Sequence, residues 1–413
     1  MRNILFRSFV LMGLLSLLGV TLLSQSWKRR EIQNNLGRGG SADPDVVGTF
    51  PGDPIEGINV EEFELFRIGL EDFLEVEDAA EGLGPVYNGT SCAQCHALGG
   101  IGGAGLVTTI RVGRRLEDGS FEAFPGGTGF QMFSIPTHSS QPQIPLEANV
   151  VAFRKSLPLF GSGLIEAVPD SVFLAMEDPQ DSDGDGIRGR AARVVDRNSG
   201  ELRIGRFGWK AQQSNLITFG AEAYRDEMGI TSALFPNEAC PFGSCEAVAL
   251  SDLVPDPEDA RERNTGLRGI DNFENFMKFL GPPPRGEITP EATIGEAVFH
   301  QVGCPACHTP ILTSGASNSS SLNNKRFAPF GDFLLHDIGT GDGIAQADAA
   351  PEEIRTAPLW GARFRAPYLH DGRAPTLEAA IRAHAGEALS ARQSVEALSR
   401  AELDLLLAFL ASL

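Results

Sequence analysis

A mainly α-helical chain of two domains, with short strands and long loop insertions in the first, is what the sequence predicts. Three observations predict it. The pattern C-x-x-C-H occurs twice, at Cys92-Ala93-Gln94-Cys95-His96 and at Cys304-Pro305-Ala306-Cys307-His308. Each copy follows a stretch in which apolar residues recur at helical spacing. Between the copies lies Gly281-Pro282-Pro283-Pro284, the strongest punctuation in the chain. The two domains are therefore placed over residues 51–281 and 285–413.

C-x-x-C-H reads as the attachment site of a c-type haem. Two thiols a turn apart can each bond to one edge of a porphyrin, and the histidine that follows lies under the iron as its proximal ligand. One copy in a long chain is compatible with chance, a zinc site or a redox dithiol. Two copies in matching contexts point to two covalently bound haem c groups, on Cys92, Cys95 and His96 and on Cys304, Cys307 and His308. A zinc knuckle needs four ligands per metal, and no second C-x-x-C lies near either motif.

The 413 residues carry 34 basic against 54 acidic side chains, a net charge of -20. That balance excludes nucleic acid as a partner, which requires a basic surface. It suits docking of a basic protein such as a small cytochrome, although an acidic surface also serves solubility alone. Arg2 and Arg7 precede the apolar run Phe9 to Leu23, and Ser24-Gln25-Ser26 follows it. Residues 1–26 read as a secretory signal peptide or, because Lys28-Arg29-Arg30 comes next, as an uncleaved membrane anchor. Both readings export the body of the protein to the periplasm, in keeping with haem attachment outside the cytoplasmic membrane. In that oxidising compartment Cys240 and Cys245 are expected to close a small disulfide loop. Residues 27–50, polar and Gly-rich, read as a flexible tether.

Along the body, Phe63, Phe66, Leu70, Phe73 and Leu74 mark a helix starting at Val60. Gly99, Gly100, Gly102, Gly103 and Gly105 follow the first motif and make a loop able to pass close to a haem face. Short strands are expected over residues 106–170, with Thr108 to Val112 the clearest, and helices near Ser171–Glu177 and Ser214–Glu227. Thr289 caps a helix running to Phe299, and Gly303 leads into the second motif. The Ser/Asn/Gly stretch Ser314 to Asn324 reads as exposed and mobile, and Ser399 caps the amphipathic helix Ala401 to Leu413. Helix, C-x-x-C-H, ligand loop and terminal helix is the order of a small cytochrome c domain. The expected fold is thus two cytochrome c-like domains forming a distant internal repeat, the first expanded by insertions.

What stands opposite the proximal histidine decides whether a haem carries electrons or does chemistry. The methionines are Met1, Met12, Met132, Met176, Met228 and Met277, and none lies downstream of Cys304. The second domain offers His336, His370 and His384 instead, which implies a bis-His or five-coordinate haem unless the first domain reaches across. His300, on the helix before the motif, reads as structural or exposed. Near the first motif the candidates are His138, Met132, Met176 and Met228; the rival reading is an open iron where peroxide or another small substrate binds.

Ile354-Arg355-Thr356-Ala357-Pro358-Leu359-Trp360, Ala366-Pro367-Tyr368-Leu369-His370-Asp371-Gly372-Arg373-Ala374 and Thr376-Leu377-Glu378-Ala379-Ala380 resemble the C-terminal signature of bacterial di-haem cytochrome c peroxidases. The closer resemblance is to their relatives, the di-haem oxidoreductases formerly called thiol oxidoreductases. It rests also on Leu159 to Pro169, Gly205 to Ala211, Met228-Gly229-Ile230-Thr231 and Leu335-His336-Asp337-Ile338-Gly339, and runs from about Phe63 to the C-terminus. The resemblance implies an oxidoreductase that takes electrons from a small redox donor such as a cytochrome and passes them to peroxide or a related small-molecule oxidant. His384 falls where the peroxidases place the axial methionine of their electron-entry haem; a histidine there lowers the potential and departs from the peroxidase pattern. The tryptophan those enzymes hold between the haems corresponds to Trp209, with Phe207 aligning about as well. An indole at that place gives electrons a bridge, whereas a core aromatic is the plainer reading. The glutamate that helps cleave the O–O bond corresponds to Glu227, with Glu166 the runner-up, and its work would be general acid–base catalysis.

Asp181-Ser182-Asp183-Gly184-Asp185-Gly186-Ile187 matches the first half of a D-x-D-x-D-G calcium loop. Asp181, Asp183 and Asp185 would converge on Ca2+ while Gly186 permits the sharp turn. The twelfth position is Ala192 and not a bidentate glutamate, so another carboxylate must close the site, or the segment is an acidic surface turn. By resemblance, calcium is expected near the haem interface. Arg206, Arg355, Arg363 and Arg365 are candidate partners of haem propionates, since arginine grips carboxylates bidentately. Two further function classes stay open: an electron-transfer protein without catalysis, and an oxidase or accessory factor acting on a protein or a metal ion.

Overall fold

The Val60–Leu74 helix begins where Asn59 and Glu62 cap each other. The Asn59 side chain accepts from the Glu62 N–H at 2.9 Å, and the Glu62 carboxylate accepts from the Asn59 N–H at 3.0 Å. Phe66 and Phe73 are buried, whereas Phe63 and Leu74 stand exposed, so the buried stripe is narrower than the apolar periodicity. It packs on the Gly269–Phe279 helix, with the Phe73 and Phe276 ring centroids 4.5 Å apart. The helices approach this closely because Gly69 has no side chain: a Cβ there would lie 2.1 Å from the Asn272 carbonyl oxygen.

This computed structural model describes residues 48–138, 142–240 and 245–413. The segment read as signal peptide or anchor, and nearly all of the tether, lie outside them. Among the described residues no helix is long and apolar enough to cross a membrane.

The predicted strand runs over Thr108–Arg115 and pairs antiparallel with Val150–Lys155, from Thr108 opposite Lys155 to Gly113 opposite Val150. Thr109 faces Arg154 and Arg111 faces Ala152 across this ladder. Side chains alternate along strands, so Thr109, Arg111 and Arg154 share one face of the sheet. The opposite face carries Val151 and Phe153 to solvent. The Leu216–Ala223 helix starts at Asn215, whose side chain accepts from the Thr218 N–H at 2.9 Å. It runs on into a π turn, Tyr224–Met228, closed by Gly229 in the left-handed region at φ 67°.

The Pro290–Gln301 helix, capped by Thr289, packs against the terminal Arg400–Ala411 helix, capped by Ser399 and Glu402. Phe299 and Phe409 meet there at 5.1 Å, inside a cluster that also holds Val298, Phe330, Leu403 and Leu406. A larger cluster centred on Phe73, Phe276, Leu164 and Leu216 also takes in Leu312, Leu322, Phe327, Phe333 and Trp360 from beyond the proline run. Pro282 and Pro283 are themselves buried, and the described residues belong to one contact unit, Asp45–Leu413.

One loop differs from the sequence expectation. Ser314, Ser319, Ser321 and Leu322 are buried, not exposed. The hydroxyls satisfy themselves inside the loop, Ser314 donating to the Leu322 carbonyl at 2.6 Å and Ser319 and Ser321 pairing at 2.8 Å. A polar stretch can therefore enter the core without leaving an unpaired group. Cys240 and Cys245 are joined as a disulfide.

Candidate functional site

The two C-x-x-C-H motifs fold alike. Cys92–Cys95 forms one helical turn and Cys304–Ala306 a tighter one. In each, the histidine N–H closes on the carbonyl of the first cysteine at 3.0 Å. All four cysteines are free and partly buried. Burial raises their thiols, Cys95 to about 11 and Cys304 to about 12, so they are not the activated thiolates of a redox dithiol.

His308 opens on a cavity of 380 Å³ lined also by Cys304, Cys307 and His384. His308 Nδ1 lies 3.1 Å from the Phe330 carbonyl, and His384 Nδ1 lies 2.7 Å from that of Ala380. A carbonyl at Nδ1 fixes the proton there and leaves the Nε2 lone pair for a metal. Burial, with the neighbouring His384 imidazole adding to it, pushes His308 down to about 4; burial also lowers His384. Both are neutral imidazoles at pH 7, the form that binds iron. His384 stands as the cap residue ending the Leu377–Ala383 helix. Among the described residues no methionine lines this cavity.

His336 lines the same wall with both ring nitrogens engaged by carboxylates. Its Nε2 lies 3.0 Å from Asp332 and its Nδ1 2.8 Å from Glu387. Although burial pulls its pKa down, Asp332 first, then Cys307 and Glu387, hold it well above the ordinary value. His370 also lines the cavity and is pushed down to about 4 by burial. Exposed His300 lies outside it.

Two of the four candidate arginines face this space. Arg355 donates to the Gly208 carbonyl at 2.7 Å and to that of Thr356 at 3.0 Å, and Arg365 is partly buried beside it. Neither has a carboxylate partner among the described residues, and burial lowers them to about 9 and about 10. Cations so placed call for an anion, which haem propionates would supply. Arg206 and Arg363 do other work. Arg206 binds Asp170 and the Val168 carbonyl over the Phe173 ring, and Arg363 binds the carbonyls of Pro284 and Leu413.

His96 opens on a second cavity of 170 Å³. Its Nδ1 lies 3.0 Å from the Gly103 carbonyl, and burial pushes it to about 4 against the pull of the Gly103 and Leu157 carbonyls. The glycine loop passes close against the motif: a Cβ on Gly105 would lie 2.2 Å from the Cys95 carbonyl oxygen. The cavity's polar wall comes from the shared sheet face and the π turn. Arg111 binds Asp226 at 2.8 Å and Glu227 at 3.2 Å, and the Asn88 amide donates to Glu227 at 2.7 Å. Burial raises Glu227. Asp226, despite its own burial, is held below the usual carboxylate range by Arg111 and Arg225. Arg111 Nε and Arg154 Nη2 are buried without a hydrogen-bond partner, room for an anionic group such as a propionate. Met228 and Met277 line this cavity; His138, Met132 and Met176 do not, and His138 Nδ1 instead meets the Ser251 hydroxyl at 3.0 Å.

Trp209, Lys155, Ser156 and Leu157 line both cavities. Phe207, two residues earlier, lines neither and stacks on Phe219 at 5.6 Å. Glu166 also lies outside both: its carboxylate accepts the Leu216 N–H at 2.7 Å, a helix-start contact, which leaves Glu227 as the predicted glutamate that faces a histidine cavity.

Residues 138–413 match the family described as "Di-haem oxidoreductase, putative peroxidase". The chain belongs to the di-haem oxidoreductase family. It is accordingly a peroxidase-like enzyme with the fold of the di-haem cytochrome c peroxidases and two haem cofactors. The match contains the Cys304 motif and begins after the Cys92 motif. Solved structures similar to this di-haem oxidoreductase include hydrazine synthase of Kuenenia stuttgartiensis, at 15% identity over 88% of this chain and 90% of that one, TM-score 0.42. A MauG-like protein associated with microbial copper homeostasis is 16% identical over 88% and 93%, TM-score 0.40. The di-haem peroxidase BthA of Burkholderia thailandensis is 17% identical over 88% and 87%, TM-score 0.39. No curated protein matches in sequence.

Both cavities fit a haem: each has a cysteine pair, a neutral histidine with Nε2 to offer, and arginine N–H groups or charge lacking an anionic partner. Sequence reasoning missed Asn88, Arg111, Arg154, Lys155 and Glu222 at these walls. Arg111 sits on the strand expected at Thr108 to Val112, but nothing local said which face of it met His96. The Asp181, Asp183 and Asp185 carboxylates do converge, with oxygens within 4.8 Å of one another, and Asp185 and Ile187 reach the rim of the His308 cavity.

Proposed function

We propose that this di-haem oxidoreductase is an exported c-type enzyme that reduces peroxide, or a related small oxidant, with electrons from a small redox protein such as a cytochrome. The observation that carries the reading is the inequality of the two cavities. One holds His308 and His384, both neutral with Nε2 to offer, while the carboxylate of Glu387 in its wall is engaged by His336. The other holds one histidine, His96, beside Glu227, Asp226, Asn88 and Arg111. Thioether links at Cys92, Cys95, Cys304 and Cys307 would hold the groups, His96 and His308 would be proximal ligands, and His384 would close the second position over His308.

A haem so held exchanges electrons when both axial sites are filled and binds peroxide when one is open. The chain's own residues do the rest. Trp209 spans the two cavities and shortens the path for electrons between them. Glu227, raised by burial, takes a proton from one peroxide oxygen and returns it to the other, which is general acid–base catalysis. Arg111 and Asn88 hold its carboxylate in place. Export is supported by the apolar N-terminal run and by the motif chemistry, with the chain released to the periplasm or anchored by that run. We assign Ca2+ to Asp181, Asp183 and Asp185 on the loop pattern and their convergence; a calcium-dependent rise in melting temperature that survives Asp183→Asn would remove the assignment.

The ligation state of each iron tests the main reading. One high-spin ferric haem that binds cyanide and one low-spin haem are expected, with peroxide turnover on a reduced cytochrome. Two low-spin haems inert to cyanide would leave an electron-transfer protein.

A further inference from the structure

Reducing one peroxide consumes more than a shuttled proton: H2O2 + 2 H+ + 2 e− gives two waters. Glu227 can move a proton between the oxygens, but the two that end up in water must enter from the protein. The His96 cavity holds a second carboxyl for this. Glu222 lies on the Leu216–Ala223 helix and Glu227 on the π turn that follows, where the Gly229 N–H closes on the Tyr224 carbonyl, five residues back. Such turns interrupt helices at functional sites, and here both glutamates line the one 170 Å³ cavity.

Their surroundings differ. Asp226 occupies Arg111 at 2.8 Å and Arg225 at 2.6 Å. Glu227 takes Arg111 Nη2 at 3.2 Å. Glu222 faces Asp226 and Glu227 on its own segment, Arg225 beside them, Arg111 and Arg154 from the sheet, and Gln212 from the loop before the helix. Yet it makes no ion pair among the described residues; its hydrogen bond comes from Gln212 Nε2 at 3.1 Å. Burial, and next the charge of Asp226, raise its pKa. Burial and a neighbouring negative charge both favour the protonated form of a carboxyl.

We propose that Glu222 is the proton donor that recharges Glu227, taking protons from solvent past Gln212 and passing them into the cavity during reduction of peroxide. This rests on the peroxide reading above; the electrons come from the reduced redox donor.

Glu222→Gln in the haem-loaded protein tests it. Peroxide turnover with a reduced cytochrome is expected to fall about tenfold, less than the ~100-fold typical of a group that itself transfers the proton. The loss deepens as pH rises and is partly restored in Glu222→Asp. Glu222→Gln with Glu227→Gln is no slower than Glu227→Gln alone, because the two act in series. A readout apart from turnover is the infrared band of a buried protonated carboxyl, which shifts in D2O; it disappears in Glu222→Gln and moves in Gln212→Leu, a second variant that serves if Glu222→Gln fails to load haem. A wild-type pH profile in Glu222→Gln, or an unchanged band, overturns the proposal. Wild-type protein that reduces no peroxide overturns the peroxide reading instead, while the infrared band still decides whether Glu222 holds a proton in the cavity.

Discussion

The His370 imidazole meets the Trp209 indole edge-on, with ring centroids 6.1 Å apart. Lys155 ties the pair together: its carbonyl accepts the Trp209 Nε1–H at 2.7 Å, and its N–H donates to the His370 carbonyl at 2.7 Å. Leu369 precedes His370 in the left-handed region, at φ 69°. That conformation costs a bulky residue on the order of 1 kcal/mol or more. The fold accepts it where the chain turns to bring His370 against the indole.

Trp209→Phe keeps a ring between the cavities but loses the Nε1–H, leaving the Lys155 carbonyl without that partner. A loss of about 1–3 kcal/mol in unfolding free energy is expected from the unpaired group. Electron transfer between the haems should slow by about tenfold or more, a barrier increase of about 1.4 kcal/mol. Stopped-flow reduction followed at each haem measures this. Equal rates in the variant and the wild type would reduce Trp209 to a packing residue.

His384→Ala removes the imidazole facing His308 across the cavity. The C-terminal haem should change from low to high spin and acquire cyanide binding, with the His96 haem unaltered. Electron paramagnetic resonance of the ferric protein reads both at once, and an unchanged low-spin signal would show that another side chain fills the position.

Glu227→Gln preserves the hydrogen bond from Asn88 and removes the transferable proton. Peroxide turnover should drop about 100-fold or more while the spectra of both haems stay as in the wild type. Turnover within twofold of wild type would move the acid–base role elsewhere in the cavity.

His336 makes stability depend on pH in a definite direction. Asp332 and Glu387 hold its folded pKa well above the ordinary value in spite of burial. Folding therefore favours the protonated form. The contribution is complete below the unfolded value of about 6.5, and it is lost as pH rises from there through the folded value. Melting temperature should fall over that alkaline range in the wild type, and His336→Gln should flatten the fall while lowering stability at pH 6. A parallel fall in both proteins would place the titration in another group.

Much of the fold was legible because its signals are local. The caps at Thr289 and Ser399 sit at the starts of their helices, and the Thr108 strand and the Cys240–Cys245 bridge form as expected. Trp209 was legible by resemblance, and its neighbour Phe207 fitted equally well. The choice came from which of two residues, one turn of loop apart, reached both cavities. Glu166 and Glu227 were likewise equal in sequence until one proved to hold a helix start.

Cysteine spacing, apolar period and capping pairs act within a few residues, so the sequence by itself determined where two haems could attach, where helices begin and that no methionine follows Cys304. Facing pairs such as Arg111 with Asp226, or Asn88 with Glu227, join residues more than a hundred positions apart. No local propensity encodes such a meeting. It depends on how a sheet face, a π turn and a glycine loop pack together, and that packing alone decided which carboxylates share a cavity with His96.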